Sequence, residues 1–149
     1  GLQELLLVSL LQLFSLSDKA VTRLTGTHKR RQAVGRAIDF IQQNTHRSIS
    51  SSELSKIAFL SPRSLQLGFN ESFGVGPMTY SKHLRLSRAR DLFLKKTNLS
   101  VTQISLQFGF YNLGSFTRLY KKRYGEFPSA TLRKDFPNVS LENNQPKKH

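Results

Sequence analysis

Apolar residues recur at the spacing of an α-helix through most of this 149-residue chain. The first such stretch, residues 2 to about 16, is rich in leucine around most of its circumference, which predicts a helix that must be buried. This helix packs either on the rest of this chain or on a partner outside it. The partner would be an upstream domain or a second copy of the chain, and we favour packing on such a partner. The residues that follow lose the periodicity and gain threonine, glycine and charge, which predicts a linker and a domain boundary near Gly26.

The sequence therefore divides into three predicted parts. Residues 1–26 form the leucine-rich helix and its linker, a remnant of an upstream domain or a dimer contact. Residues 27–134 form the main domain, which begins with an amphipathic helix that carries Val34, Ala37 and Ile41 on one face and ends near residue 45. Residues 135–149 have little to bury and are predicted to be a flexible tail.

The main domain contains an internal repeat. Ser50 with Glu53 has the spacing of a capping box, and Ser100 with Gln103 repeats it fifty residues later. Past the next turn the offset becomes fifty-one, and the matched pairs are Ser61 and Asn112, Leu65 and Phe116, Phe69 and Tyr120, Phe73 and Tyr124, Gly74 and Gly125, and Pro77 and Pro128. Each copy predicts a short capped helix, a turn and a second helix with an apolar stripe, which is a helix-turn-helix unit.

A longer helix, residues 77 to about 96, lies between the two copies, and a short one runs from residue 128 to about residue 134. The inward-facing residues predicted for the longer helix are Tyr80, Leu84, Ala89 and Leu92. The predicted fold is all-α: two helix-turn-helix subdomains, each a homeodomain-like unit of three helices, joined by a long central helix.

The charge of the chain favours a polyanionic partner. The formal net charge is +14, and residues 59–125 contain eleven Lys and Arg against two acids, Glu71 and Asp91. Such an excess opposes compaction but attracts nucleic acid first and an anionic membrane surface second. The membrane alternative is weaker, because the basic residues lie on short helices whose opposite faces are needed for the core.

Several kinds of chemistry are disfavoured. Without cysteine the chain has no disulfide, thiolate zinc site or cysteine nucleophile, and its four histidines lack the spacing of metal ligands. Acidic residues show no paired spacing and no glycine-rich loop follows a strand pattern, so we predict neither an enzyme nor a bound cofactor. The leucine-rich stretch is too short to span a bilayer and lacks the basic leader of a signal peptide.

In a helix-turn-helix unit the second helix enters the major groove of DNA. Its face opposite the apolar stripe is free to contact bases, where arginine suits guanine, glutamine suits adenine, and threonine or leucine suits the thymine methyl group. In the first unit this face carries Arg63, Ser64, Gln66, Leu67 and Asn70. In the second unit it carries Leu113, Gly114, Thr117, Arg118, Lys121 and Lys122.

Phosphate contacts are predicted at the edges of these helices. Lys121, Lys122 and Arg123 lie near the end of the second reading helix, where phosphates are the nearer target. The predicted N-cap residues are further candidates, namely Ser50, Ser61, Ser100 and Asn112. Arg85, on the central helix, forms either a structural salt bridge or a phosphate contact.

The segments LSPRSLQLGFNESFGVGPMTY and ISLQFGFYNLGSFTRLYKKRYGEFPSATLR resemble the DNA-binding domain of the AraC/XylS family of bacterial transcription regulators. The resemblance covers about residue 32 to residue 134 and is more specific in its second half. It implies two reading helices in successive major-groove segments on one face of the duplex, and an N-terminal effector or dimerisation domain that would account for the leucine-rich helix. By position, the base-reading sites of the family fall on Arg63, Ser64, Gln66 and Leu67 in the first unit and on Leu113, Gly114, Thr117 and Arg118 in the second.

The chain departs from the family pattern at a few positions. Leu67 stands where several relatives have a basic residue, and Gly68 in mid-helix costs about 1 kcal/mol against alanine when it is exposed. Ser55 and Ser105 replace the usual alanine against the partner helix. We therefore expect the first reading helix to be less well formed or less specific, and the second unit to carry more of the specificity.

The predicted function is sequence-specific binding of double-stranded promoter DNA, which regulates transcription in a bacterial cytoplasm, at the nucleoid, with activation favoured over repression. Further expected partners are RNA polymerase and a second copy of the chain, bound through the N-terminal helix or a missing domain. The alternative is a protein-interaction or dimerisation module with only non-specific affinity for nucleic acid.

Overall fold

Seven α-helices make up the part of the chain that the computed structural model describes, residues 1–134; for residue 11 and residues 13–25 only the backbone is described. They are α1 (Leu2–Gln43), α2 (Ser51–Ala58), α3 (Pro62–Phe73), α4 (Pro77–Leu94), α5 (Val101–Gln107), α6 (Leu113–Tyr124) and α7 (Pro128–Arg133). These residues contain no strand, and the predicted all-α class is confirmed. The predicted tail lies outside the described residues.

The N-terminal helix is longer than the sequence predicts. α1 continues without a break through residues 17–31, so the predicted linker is wrong and these residues are helical. A glycine or threonine lowers helix stability by only about 1 kcal/mol or less, and no proline interrupts the stretch. The division of the chain into domains at Gly26 remains a prediction.

The apolar residues at the start of α1 are not covered by the described part of the chain. Leu2 and Leu5 are 82% and 68% exposed, and their apolar neighbours up to Leu10 are more than half exposed as well. Of the two alternatives for this helix, packing on the rest of the chain therefore finds no support within residues 1–134.

The first subdomain is built from the second half of α1 together with α2 and α3. Its core consists of Ala33, Val34, Ala37, Ile41, Ile49, Leu54, Ala58, Leu65 and Phe69. A Cβ atom at Gly68 would lie 2.6 Å from Cγ2 of Val34, so the glycine is a buried point of close approach between α3 and α1. The expectation that α3 is poorly formed is wrong, because all 12 residues of the helix are in place and its glycine is packed rather than exposed.

The second subdomain is built from α5, α6 and α7 on the second half of α4. Its core consists of Leu86, Ala89, Phe93, Ile104, Phe110, Phe116 and Tyr120. The Tyr120 hydroxyl donates to Oγ1 of Thr131 at 2.8 Å, and the Thr131 hydroxyl donates to Glu126 at 2.7 Å. The first hydrogen bond joins α7 to α6, and the second joins α7 to the turn between the two helices.

α4 belongs to both cores. Tyr80 and Leu84 in its first half pack against the first core, whereas Leu86 and Phe93 in its second half are members of the second. The predicted central helix is confirmed, and it ends at Leu94. Because one continuous helix completes both cores, the two subdomains are fixed to each other through α4.

The apolar stripes of the reading helices are shorter than predicted. Leu65 and Phe69 are fully buried, but Phe73 at the end of α3 is 42% exposed. Its ring lies against that of Tyr80, with 4.7 Å between the ring centroids. Tyr124, its counterpart in α6, is also only half-buried.

The two helix-turn-helix turns share one unusual backbone conformation. Phe59 and Gly109, fifty positions apart, are both left-handed, with φ of 56° and 74°. α2 and α5 begin fifty residues apart and α3 and α6 fifty-one, so the second turn contains one more residue, as the repeat predicts. Matching Leu60 with Phe110 and Ser61 with Asn112 identifies the extra residue as Tyr111, which is 77% exposed.

The predicted capping boxes are only partly confirmed. At α5 both hydrogen bonds are present, from Gln103 N to the Ser100 hydroxyl and from Ser100 N to the Gln103 side chain. At α2 the Ser50 hydroxyl accepts from Glu53 N at 3.1 Å. The Glu53 carboxylate, however, forms its side-chain hydrogen bonds with Arg47, at 2.7 and 3.1 Å.

Candidate nucleic-acid interface

α3 presents the predicted reading face of the first unit to solvent. The Ser61 hydroxyl accepts a hydrogen bond from Ser64 N at 3.2 Å, and this cap starts the helix where the sequence predicts. The predicted base-reading residues are all accessible, with Arg63, Gln66 and Leu67 exposed and Ser64 half-buried. This face is therefore open to a ligand.

Two of these side chains already have partners. The Ser64 hydroxyl accepts from the Ser61 hydroxyl at 3.0 Å, and Gln66 Nε2 donates to Oδ1 of Asn70 at 3.3 Å. Arg63 forms no hydrogen bond or ion pair with any residue in the described part of the chain. Arg63 is therefore the side chain of α3 that is most available to a DNA base.

α6 presents the corresponding face of the second unit. Oδ1 of Asn112 accepts from Ser115 N at 2.8 Å, and Gly125 ends the helix in the left-handed conformation. The predicted base-reading residues lie on its accessible side, with Leu113, Gly114 and Arg118 exposed and Thr117 half-buried. Arg118 has no hydrogen bond or ion pair within residues 1–134, so all of its guanidinium donors are available to a ligand.

Gly114 is not required by the fold of the free protein. Among the described residues, a Cβ atom at this position would meet only Oδ1 of Asn112, at 3.5 Å, which is an ordinary van der Waals contact. An alanine would therefore fit in the free protein.

The basic cluster at the end of α6 is exposed, but its members differ. Lys121 Nζ lies 4.1 Å from the centroid of the Phe127 ring, which holds this charge beside α7. The Arg123 guanidinium lies 5.9 Å from the Tyr124 ring centroid. Lys122 has no partner among the described residues and follows Arg118 by one helical turn, so it extends the outward face of α6.

The four N-cap residues lie at exposed helix starts, and each accepts a backbone N–H: Ser50, Ser61, Ser100 and Asn112. A serine that caps a helix in this way still has its O–H donor, and Asn112 still has its amide N–H groups. Ser50, Ser100 and Asn112 can therefore also donate to a phosphate oxygen, whereas the Ser61 hydroxyl already donates to Ser64.

Arg85 is not part of this surface, and both roles predicted for it are corrected. Its side chain is buried, and Nη1 donates to the carbonyl oxygens of Phe108 and Gly109 at 3.1 and 3.3 Å. The guanidinium carbon also lies 4.5 Å from the centroid of the Phe110 ring. Arg85 thus stabilises the α5–α6 turn through hydrogen bonds to its backbone. Burial lowers the pKa of the guanidinium, which stays charged.

Two sets of ion pairs were not predicted from the sequence. Arg47 and Glu53 form a bidentate pair, and the hydrogen bond from Arg47 lowers the pKa of Glu53. Glu126 pairs with Lys134 at 2.6 Å and with Arg90 at 3.4 Å. The short sequence separation of Arg47 and Glu53 was the only signal available for either set.

Within residues 1–134, none of the helices combines the length and apolar character that a bilayer crossing requires. The same residues contain no group of three histidine, aspartate or glutamate side chains that is placed to hold a metal ion.

Two capped reading helices, each on its own core and both fixed to one central helix, define a double helix-turn-helix protein of the DNA-binding class. A family model described as a helix-turn-helix domain matches residues 54–134, just over half of the chain. The chain belongs to the AraC/XylS family of bacterial transcription regulators and contains the DNA-binding domain of that family. The predicted family and double-stranded DNA as a partner are thereby confirmed.

Curated relatives include two operon regulators. The XylDLEGF operon transcriptional activator 2 of Pseudomonas putida is 40% identical over 99 residues, which are 65% of this chain and 63% of the relative. The probable thc operon regulatory protein of Rhodococcus erythropolis is 33% identical over 99 residues, which are 65% of this chain and 30% of the relative. The chain thus spans less than two thirds of the length of either relative.

Solved structures show the same fold. A probable AraC family transcriptional regulator from Rhodopseudomonas palustris CGA009 is 36% identical with a TM-score of 0.63, over 68% of this chain and 94% of that one. The DNA-binding domain of AdpA, solved with a target DNA, is 18% identical with a TM-score of 0.61, over 65% of this chain and 86% of that one. The second likeness concerns the fold alone.

Proposed function

We propose that α3 and α6 enter two successive major-groove segments on one face of a DNA duplex and so direct a transcription regulator to its promoter. The observation that supports this most directly is the pair of 12-residue helices with accessible outward faces. Each carries an arginine without a partner among the described residues, Arg63 or Arg118, which suits bidentate recognition of guanine.

The remaining side chains divide by role. Arg63, Ser64, Gln66 and Leu67 read bases from α3, and Leu113, Gly114, Thr117 and Arg118 read them from α6. Phosphate contacts come from Lys121, Lys122 and Arg123 and from the caps Ser50, Ser100 and Asn112. Ser61 joins them when its hydroxyl turns away from Ser64. We assign more of the specificity to α6, because the side-chain amide of Gln66 in α3 already donates a hydrogen bond to Asn70.

The wider role follows from the relatives and from α1. Because several relatives are named operon activators, we propose activation, in the bacterial cytoplasm at the nucleoid, through contact with RNA polymerase and without enzymatic activity of this chain. The exposed leucines at the start of α1 support a contact with a second copy or with an upstream domain.

Replacing Arg118 tests the reading assignment. Duplexes enriched from a random-sequence pool would define the preferred site, and fluorescence anisotropy would measure the affinity for it. We expect Arg118→Ala to cost about 1–3 kcal/mol on that site and to relax the preference at one base pair. Arg31→Ala, which removes an exposed arginine of α1, is the matched control and should change neither quantity.

Two results would count against the proposal. A uniform loss on all sequences would make Arg118 a phosphate contact. Failure of the pool to yield any preferred sequence, with binding retained at low salt, would favour the alternative of an interaction module with non-specific affinity.

A further inference from the structure

A cavity of about 420 Å³ lies between α4 and the second half of α6. Two of its lining residues are leucines, and the others carry polar or basic groups: Thr79, Lys82, His83, Lys122 and Arg123. Within residues 1–134, no carboxylate lines the cavity. A space of this size between basic side chains can hold a multivalent anion together with water.

The charges around this α4–α6 cavity have no acidic partners among the described residues. Some basic residues elsewhere in the described chain do pair with carboxylates, as Arg47 does with Glu53 and Arg90 with Glu126. Lys82, Lys122 and Arg123 form no ion pair within residues 1–134. Like charges collected around one space repel, and an anion placed among them would remove that repulsion.

His83 lies among the same positive charges. Both His83 and Arg123 line this cavity and a neighbouring one. The pKa of His83 is lowered, first by burial and then by the positive charges of Arg123 and Lys82. A bound anion would oppose these charges and raise the pKa of His83, because an opposite charge favours the protonated ring.

We propose that the α4–α6 cavity is a binding site for a phosphate group, with Lys82, His83, Lys122 and Arg123 as its ligands. A phosphate carries up to two charges and three strong acceptor oxygens, which matches several convergent donors better than a carboxylate does. Arginine can hold two of these oxygens at once, and the Thr79 hydroxyl offers a neutral donor.

The phosphate has two possible sources with the same chemistry. Lys122 belongs both to the cavity and to the outward face of α6, one turn beyond Arg118, so the backbone of a bound duplex is one source. The assignment of the phosphate to DNA rests on the proposed function. The other source is a small phosphorylated molecule, which would bind whether or not DNA is present.

The first measurement uses the full 149-residue chain and inorganic pyrophosphate. Histidine ring signals, assigned with His83→Asn, would be followed by NMR against pH in pyrophosphate and in sodium chloride of equal ionic strength. We expect the pKa of His83 to rise in pyrophosphate, while the signals of His28 and His46 report any general effect of salt. Lys82→Gln should weaken pyrophosphate binding about tenfold, and Lys95→Gln, the same charge change at the exposed end of α4, should not.

The second measurement repeats the titration with duplex DNA and adds the salt dependence of binding. If the DNA backbone occupies the cavity, Lys82→Gln should lower the slope of log K against log[salt] by about one, and pyrophosphate should compete with DNA. An unchanged slope with a retained pyrophosphate effect identifies a small phosphorylated ligand instead. The proposal is overturned if neither pyrophosphate nor DNA raises the pKa of His83. A pyrophosphate effect without any DNA binding would leave the cavity site standing and refute only the proposed function.

Discussion

Gly68 sets how closely α3 approaches α1, because a side chain there would collide with Val34 at 2.6 Å. Val34 is itself buried and β-branched, so it has little freedom to move aside. An alanine at position 68 would gain about 1 kcal/mol of helix propensity but overpack the core by about 1–3 kcal/mol. We therefore expect Gly68→Ala to lower the free energy of unfolding by about 1 kcal/mol in urea denaturation.

Gly35→Ala is the matched control, since no described atom lies within 4 Å of a Cβ atom at that position of α1. It should stabilise the protein by about 0.5–1 kcal/mol. If both substitutions stabilise to the same extent, the close contact between Gly68 and Val34 does not limit the packing.

The residue-scale predictions succeed where the partners are neighbours in sequence. The caps Ser61 and Asn112 follow from spacing alone, because each bonds a backbone N–H three residues later. Gly68 and Arg85 could not be interpreted in this way, since the atoms they meet belong to distant helices and turns. The base-reading assignments follow from which helix face the core leaves exposed, and they remain predictions until DNA binding is measured.

At the scale of elements, one carboxylate holds α7 to the rest of its subdomain. Glu126 accepts hydrogen bonds from Lys134 and Thr131 and pairs with Arg90, and these contacts, that of Lys134 foremost, hold its pKa below the ordinary value. A lowered carboxyl pKa stabilises the folded state above the ordinary value, and this contribution is lost as the pH falls through the folded value. We expect the unfolding temperature to fall between about pH 5 and pH 3, and to fall less in Glu126→Gln.

Circular dichroism melts of both proteins across this range would measure the difference. Asp39→Asn removes an exposed acid that has no ion pair in the described residues, and it should leave the pH dependence of wild type in place. A Glu126→Gln protein that loses stability as steeply as wild type would show that this carboxylate does not contribute.

Elements with a clear start and stop are the ones that the sequence predicts well. α3 and α6 lie where a cap, an apolar stripe and a final glycine coincide. α1 was predicted wrongly, because weak helix formers in residues 17–31 suggested a break, whereas helix on both sides makes continuation favourable. The exposure of Phe73 could not be predicted, since its neighbour Tyr80 belongs to the next helix.

At the scale of the whole molecule, the two subdomains touch at Gly109, where the second subdomain has no room for a side chain. Gly109 is left-handed, and a Cβ atom there would lie 2.8 Å from Cα of Arg47 in the α1–α2 loop. Gly109→Ala must therefore strain the turn and push the subdomains apart. We expect it to destabilise the protein by about 1–3 kcal/mol and to weaken binding to a two-segment DNA site, measured by unfolding and by anisotropy.

Gly125→Ala separates these two effects. Gly125 is also left-handed, with φ of 76°, but within the described part of the chain nothing lies within 4 Å of its Cβ position. The variant should lose comparable stability from backbone strain and bind DNA as wild type does. Equal losses of affinity in both variants would mean that strain alone, rather than the placement of the subdomains, is responsible.

The sequence indicates two subdomains and a connecting helix, but not how the subdomains meet. No local pattern marks Arg47 as the neighbour of Gly109, because the two residues belong to different subdomains. Nor does any local pattern place Lys82 and Lys122 around one cavity, because they belong to different helices.

The sharing of α4 between both cores has a consequence for the promoters that this chain can use. Along B-DNA each added base pair moves a contacted segment by about 3.4 Å and turns it by about one tenth of a revolution. A protein whose reading helices are both fixed to one continuous helix cannot follow such a change without disturbing a core. Under the proposed function, the number of base pairs between the two contacted segments is therefore recognised together with the bases themselves. Two promoters with identical contacted bases but different spacing are different sites for this molecule.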